Sequence, residues 1–149
     1  MKIKLLLLLF AFCFFACEKT KEEQAATDEK IITKYISDNK LNAKATGSGL
    51  YYVISTQGTG INPVLSSTVT VNYKGYLSDG TVFDQSPAVG ISFGLSQVIK
   101  GWQEGIPYFK KGGKGILLIP SALGYGAQQT GSIPANSVLI FDIELLNVQ

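Results

Sequence analysis

Short segments rich in Val, Ile, Tyr and Phe, broken by glycine turns and interrupted by one short helix, predict an α+β fold. The expected architecture is a curled antiparallel sheet of about five strands wrapped around that helix, with an accessory helix on the N-terminal side. Two stretches carry this prediction. In 137–147, Leu139, Phe141, Ile143 and Leu145 alternate with Asp142 and Glu144, the period of a strand with one buried face. In 97–105, the only tryptophan, Trp102, follows Ile99 at i+3 and Val98 at i+4, so that the three share one face of a short helix.

At 149 residues the chain accommodates one domain with a substantial core. Its front reads as separate from that domain. Met1-Lys2-Ile3-Lys4 is a positive start, and Leu5 to Ala16 is an unbroken apolar run, shorter than the ~20 residues needed to span a bilayer but suited to an export signal. Ala16-Cys17 at its end resembles a bacterial lipoprotein cleavage site, which predicts a signal over 1–16 and a lipid on Cys17. The other thiol, Cys13, lies inside the leader, so the mature part has no disulfide, redox pair or thiolate metal site.

The whole sequence carries 13 Lys and no Arg against 11 carboxylates, and removal of residues 1–16 takes Lys2 and Lys4, leaving 11 against 11. A neutral mature chain without Arg forks argues against nucleic-acid binding. The absence of histidine excludes imidazole-based metal sites and hydrolase triads, leaving carboxylates, Lys or Tyr as general bases.

Residues 17–26 are charged or small, with Lys19, Lys21, Glu22 and Glu23 close together, and predict a flexible tether. Thr27 or Asp28 is the expected cap of an accessory helix within 27–45, where Ile31, Ile32, Tyr35 and Ile36 repeat at helical spacing. That stripe fits packing on the domain, with a dimerisation helix as the alternative. The domain proper then spans 46–149. Leu50–Thr56 is a strand ended by Gly58 and Gly60, and in Thr68–Leu77 Val69, Val71 and Tyr73 alternate with Thr70, Asn72 and Lys74. Asp79-Gly80 is a hairpin signal leading into Thr81–Asp84, followed by Ile91–Phe93. Lys110–Lys114 is a glycine turn lacking the spacing of a phosphate loop, Gly115–Ile119 is a strand stopped by Pro120, and Leu123–Pro134 is a long loop holding Tyr125.

Trp102, Tyr73, Phe83, Phe93, Phe141 and Tyr125 are a large aromatic complement for one small core. A surplus near strand ends points to an apolar pocket with a wet rim. The ordered runs Val71–Leu77, Asp79–Asp84, Gln97–Trp102, Gly124-Tyr125-Gly126 and Leu139–Leu145 resemble the signature of the FKBP-type peptidyl-prolyl cis-trans isomerases over residues 48–148.

The resemblance implies a proline pocket between sheet and helix. Trp102 would be its floor, and Tyr73, Phe83, Phe93, Val98, Ile99, Ile133 and Phe141 its walls. The Ile99 N–H and the Tyr125 hydroxyl would donate to substrate carbonyls, and Asp84 would stand at the rim. It further implies proline-containing polypeptide substrates, macrolide inhibitors of the FKBP type, and no cofactor or metal. A non-catalytic proline-peptide-binding module is the alternative. Ala135 after Ile133-Pro134, Gly124 before Tyr125 and the short loop 127–132 depart from the usual family pattern and bear on substrate preference.

Overall fold

Where Leu117–Ile119 pairs with Leu139–Phe141 the sheet is apolar on both faces, and that double demand explains the architecture. The computed structural model describes the backbone from Ile3 to Gln149 and side chains from Thr20 onward; the expected signal over 1–16 and the expected lipid site Cys17 lie outside the described side chains. The elements are α1 (Ile3–Asp38), β1 (Lys44–Ala45), β2 (Tyr51–Thr56), β3 (Thr68–Tyr76), β4 (Val82–Gln85), β5 (Ile91–Gly94), α2 (Lys100–Gly105), β6 (Lys114–Ile119) and β7 (Leu139–Val148). The strands form one sheet in the order β1-β2-β6-β7-β3-β4, every pairing antiparallel, with β5 beside the first half of β3 and β4 beside the second. The sheet curls because β3 pairs with β7 along its length and divides its other edge between two strands.

On the inner face, Leu117 and Ile119 of β6 meet Leu139, Phe141, Ile143 and Leu145 of β7 around Trp102, Ile106 and Phe109. The alternate residues Leu118 and Ile140, with Val138, face outward and are fully or almost fully buried, because Ile32 of α1 covers them. This settles the packing of the Ile31, Ile32, Tyr35, Ile36 stripe on its own domain. Polar contacts frame the same seam: the Tyr51 hydroxyl donates to Glu29 at 2.5 Å, Tyr35 donates to Tyr76 at 3.3 Å, and Tyr76 donates to Asp142 at 3.0 Å.

Three expectations for this region need correction. Residues 20–26 are helical within α1 and do not form a flexible tether. Lys, Glu, Gln and Ala are good helix formers, and a docked helix downstream supplies the nucleus from which extra turns propagate at little cost. Gln24 also donates to Asp28 at 2.7 Å, one turn on. Thr27 and Asp28 are accordingly mid-helix and cap nothing: the Thr27 hydroxyl donates back to the Glu23 carbonyl, and Asp28 is buried. At the other end the helix stops at Asp38 and does not run on towards 45. Lys40 takes a left-handed φ of 51° while Leu41 N–H donates to Ile36 O and Lys40 N–H to Ser37 O, a Schellman closure.

The predicted helix at 97–105 is also shorter than expected. Leu95–Gln97 is a 3-10 turn, Val98 and Ile99 are extended, and α2 proper begins at Lys100. Val98 and Ile99 therefore reach the Trp102 side from extended backbone and share no helical face with it. Gln103 secures the bend by donating to Val98 O at 2.8 Å and Ser96 O at 3.3 Å. The Asp79-Gly80 turn forms as predicted, with Gly80 at φ 90° and Thr81 N–H donating to Asp79. Among the described residues no helix is long and apolar enough to cross a membrane.

If Ile32 holds α1 to the sheet, Ile32→Ala should cost about 2–5 kcal/mol, the usual range for an aliphatic residue lost from a core. The urea midpoint of the full chain measures this, and an unchanged midpoint would show that the outer face stays covered without it.

Candidate functional site

An open cavity of about 580 Å³ lies between α2, the curled ends of β3 and β4, and the 120–134 loop. That size suits a small ligand or a few residues of peptide. All ten site residues expected from the sequence line it: Asp84, Tyr125, Ile99, Trp102, Tyr73, Phe83, Phe93, Val98, Ile133 and Phe141. Ile91, Gln97 and Thr130–Ser132 line it as well. Sequence reasoning missed these, because nothing in periodicity distinguishes a pocket-facing Ile91 from any other strand residue. Thr130 and Ile133 exchange backbone hydrogen bonds in a tight local turn, which brings 130–133 together at the cavity wall.

Trp102 and Phe141 are each only 5 % exposed and form the deep part. The indole stands nearly perpendicular to Tyr73 (centroids 5.1 Å, 86°) and to Phe141 (5.1 Å, 82°), with Phe93 tilted against it at 5.4 Å. Phe83 meets Phe141 edge to face at 5.5 Å. Edge-to-face contacts set positive ring edges against negative faces, so each ring fixes its neighbour's orientation.

Two glycines make room for this cluster. At Gly75 in β3 a Cβ would lie 2.6 Å from Phe83 Cε2 and 2.7 Å from Phe141 Cε1, so only a hydrogen lets both rings approach the strand. At Gly101 in α2 a Cβ would overlap Ile119 of β6, so the helix lies directly on the sheet and carries Trp102 to its depth.

The polar groups are few. Tyr73 donates to Asp84 Oδ2 at 2.6 Å, and the other Asp84 oxygen accepts the Gln85 N–H at 2.9 Å. Burial, then the Asp84 hydrogen bond, pushes the Tyr73 pKa well above the ordinary tyrosine value. The carboxylate is thus held at the rim as an acceptor and the phenol is kept neutral. The Tyr125 hydroxyl and the Ile99 N–H donate to no group among the described residues, and Tyr125 is 38 % exposed. Ile99 is free because the chain is extended there and turns into helix only at the next residue. The Trp102 indole N–H is buried without a hydrogen-bond partner. Such a cavity can hold an apolar ring against aromatic faces and hydrogen-bond the carbonyls flanking it. It has no paired acid and base for bond cleavage.

The FKBP-type peptidyl-prolyl cis-trans isomerase profile matches residues 60–146. FkpA of Buchnera aphidicola from Schizaphis graminum is 47 % identical over 135 residues, covering 89 % of this chain and 53 % of that protein. FkpA of Escherichia coli K12 is 42 % identical over 134 residues, 89 % of this chain and 49 % of the relative. The chain therefore spans about half the length of the curated relatives it matches. The crystal structure of E. coli FkpA superposes with a TM-score of 0.75 at 43 % identity, covering 89 % of this chain and 64 % of that one. A peptidyl-prolyl cis-trans isomerase from Pseudomonas syringae pv. tomato gives 0.76 at 33 % identity, covering 86 % and 95 %. With its aromatic cavity, its curled sheet and these relatives, the chain belongs to the FKBP-type peptidyl-prolyl cis-trans isomerase family.

Proposed function

We propose that this chain accelerates rotation about Xaa–Pro bonds of exported polypeptides and so assists their folding. The observation that carries the reading is the convergence of all ten expected residues on one aromatic cavity, where the Tyr125 hydroxyl and the Ile99 N–H are free to donate. The barrier to be lowered, ~18–20 kcal/mol, arises from amide resonance, and no bond breaks. At the perpendicular transition state resonance and part of the amide dipole are lost. A water-poor aromatic cavity therefore suits the twisted amide better than the planar one. Trp102 supports the proline ring, Tyr73, Phe83, Phe93 and Phe141 enclose it, and Tyr125 and Ile99 hold flanking carbonyls. Asp84 fixes Tyr73 and presents acceptor charge at the rim. Differential stabilisation of about 5 kcal/mol corresponds to a few thousandfold in rate.

The test is isomerisation of a short Xaa–Pro peptide by the chain lacking residues 1–17. Turnover that falls by about tenfold or more in Phe83→Ala and Asp84→Ala variants, and on adding an FKBP-directed macrolide, supports the reading. Peptide binding with no rate increase would favour the non-catalytic proline-binding module instead.

The pH dependence follows from the tyrosines. An ordinary tyrosine titrates near 10.0, and the Tyr73 and Tyr76 values are raised, each chiefly by burial and then by hydrogen bonds to Asp84 and Tyr35 respectively. A raised folded-state pKa favours the neutral phenol. Its stabilising contribution is thus complete below the unfolded value and is lost as pH climbs towards the folded one. With no general acid or base involved, kcat/KM should be level from about pH 6 to about pH 9. Phenolate absorbance, compared with that of Tyr73→Phe, should show Tyr73 silent at the pH where ordinary tyrosines ionise. Ionisation of Tyr73 alongside them in the folded protein would contradict the assignment.

The localisation we propose is the bacterial cell envelope, with the domain tethered through lipid on Cys17 after removal of residues 1–16. Labelled palmitate should enter the wild-type protein and be absent from Cys17→Ser; label persisting in that variant would place the lipid elsewhere.

A further inference from the structure

We infer that Asp28 of α1 is a positioning residue for Tyr125, so that the N-terminal helix is part of the frame of the pocket. Asp28 is 1 % exposed and Ser121 is 2 % exposed. Asp28 Oδ2 accepts both the backbone N–H of Ser121, at 2.8 Å, and its hydroxyl, at 2.6 Å, while Oδ1 accepts from Gln24 at 2.7 Å. Among the described residues neither ion pair involves Asp28, so these three donors alone compensate the buried carboxylate. A buried charge is tolerated only when so satisfied, and charge-assisted hydrogen bonds are short and directional.

The other side of Ser121 leads to the pocket. Its carbonyl accepts the N–H of Gly124 at 3.0 Å and that of Gly126 at 2.8 Å, the two residues that bracket Tyr125. Gly126 O in turn accepts Asn136 N–H at 2.8 Å, which closes the base of the loop. Every polar group of Ser121 is therefore committed: N–H and hydroxyl to Asp28, carbonyl to the amides on either side of Tyr125. Docking of α1 does not by itself explain this lock, since Ile32 against Leu118, Val138 and Ile140 already seals the helix to the sheet. The lock terminates instead on the one segment that carries an unpaired phenol into the cavity.

The inference rests on Tyr125 donating to substrate, and its test separates the two ideas. In the full chain, Asp28→Ala should lower kcat/KM for an Xaa–Pro peptide by about tenfold, since small misplacement of a positioned group is costly. Asp28→Asn, which keeps one acceptor for Ser121, should recover most of that loss. In a Tyr125→Phe background the Asp28→Ala effect should shrink to less than about twofold, the mark of residues acting through one another. Ile32→Ala, which loosens the apolar seam but spares the lock, should retain kcat/KM. Amide exchange at Gly124 and Gly126, read without substrate, should quicken in Asp28→Ala; this holds even if the wild type proves inactive, an outcome that would remove the isomerase reading while leaving the positioning intact. Should Asp28→Ala fail to fold, Ser121→Ala removes a single donor and is expected to show a smaller loss in the same direction. A folded Asp28→Ala protein with unchanged exchange and kcat/KM, or one equally impaired with and without the Tyr125 hydroxyl, would overturn the inference.

Discussion

The close approach of α2 to β6 is the constraint on which the pocket depends. Gly101 faces Ile119, and a Cβ at Gly105 would lie 2.7 Å from Leu117 Cδ2, so the helix rests on the Ile119 and Leu117 side chains of the strand with none of its own between. That contact sets the height of Trp102 above the sheet, and with it the depth of the cavity. The edge-to-face ring contacts then propagate the setting outward to Tyr73, Phe141 and Phe83. Gly75 repeats the device on the opposite wall, where absence of a side chain admits two rings. The aromatic site is shaped as much by these glycines as by the aromatics, because close packing leaves no slack for an added methyl.

The curled sheet has a second need, which the N-terminal helix meets. Alternation along β6 and β7 sends Leu117, Ile119, Phe141 and Ile143 inward and Leu118 and Ile140 outward, and both sets are buried. An apolar outer face left open would be a site of unwanted association. α1 covers it, and polar contacts through Glu29, Tyr35 and Asp28 fix the helix in one register on the sheet. The accessory element and the pocket are thus opposite faces of one wall, which is why a residue on the helix can bear on the geometry of the 120–126 loop.

Much of this was legible in the residues. The strand period along 139–145, the Asp79-Gly80 hairpin and the concentration of aromatics near strand ends report local physics, and the family resemblance assigned those aromatics to one pocket. What failed to show was set by partners distant in sequence. Residues 20–26 look like a solvated tether because their helix is stabilised by a docked segment downstream. Asp28 looks like a helix cap because its true partner, Ser121, lies 93 residues away. Val98 and Ile99 have helical spacing from Trp102, yet the pocket wall they form requires extended backbone.

By itself the sequence determined the class of fold, the order of its strands and turns, and the chemical character of the site: apolar, aromatic, without histidine and poor in acids and bases. Those properties depend on residue type and short-range period alone. Only the tertiary structure decided how far the helix extends, which groups in the cavity remain unpaired, and which buried carboxylate holds the loop. Hydrogen-bond satisfaction and close packing are agreements between segments far apart in the chain, and no local pattern records them.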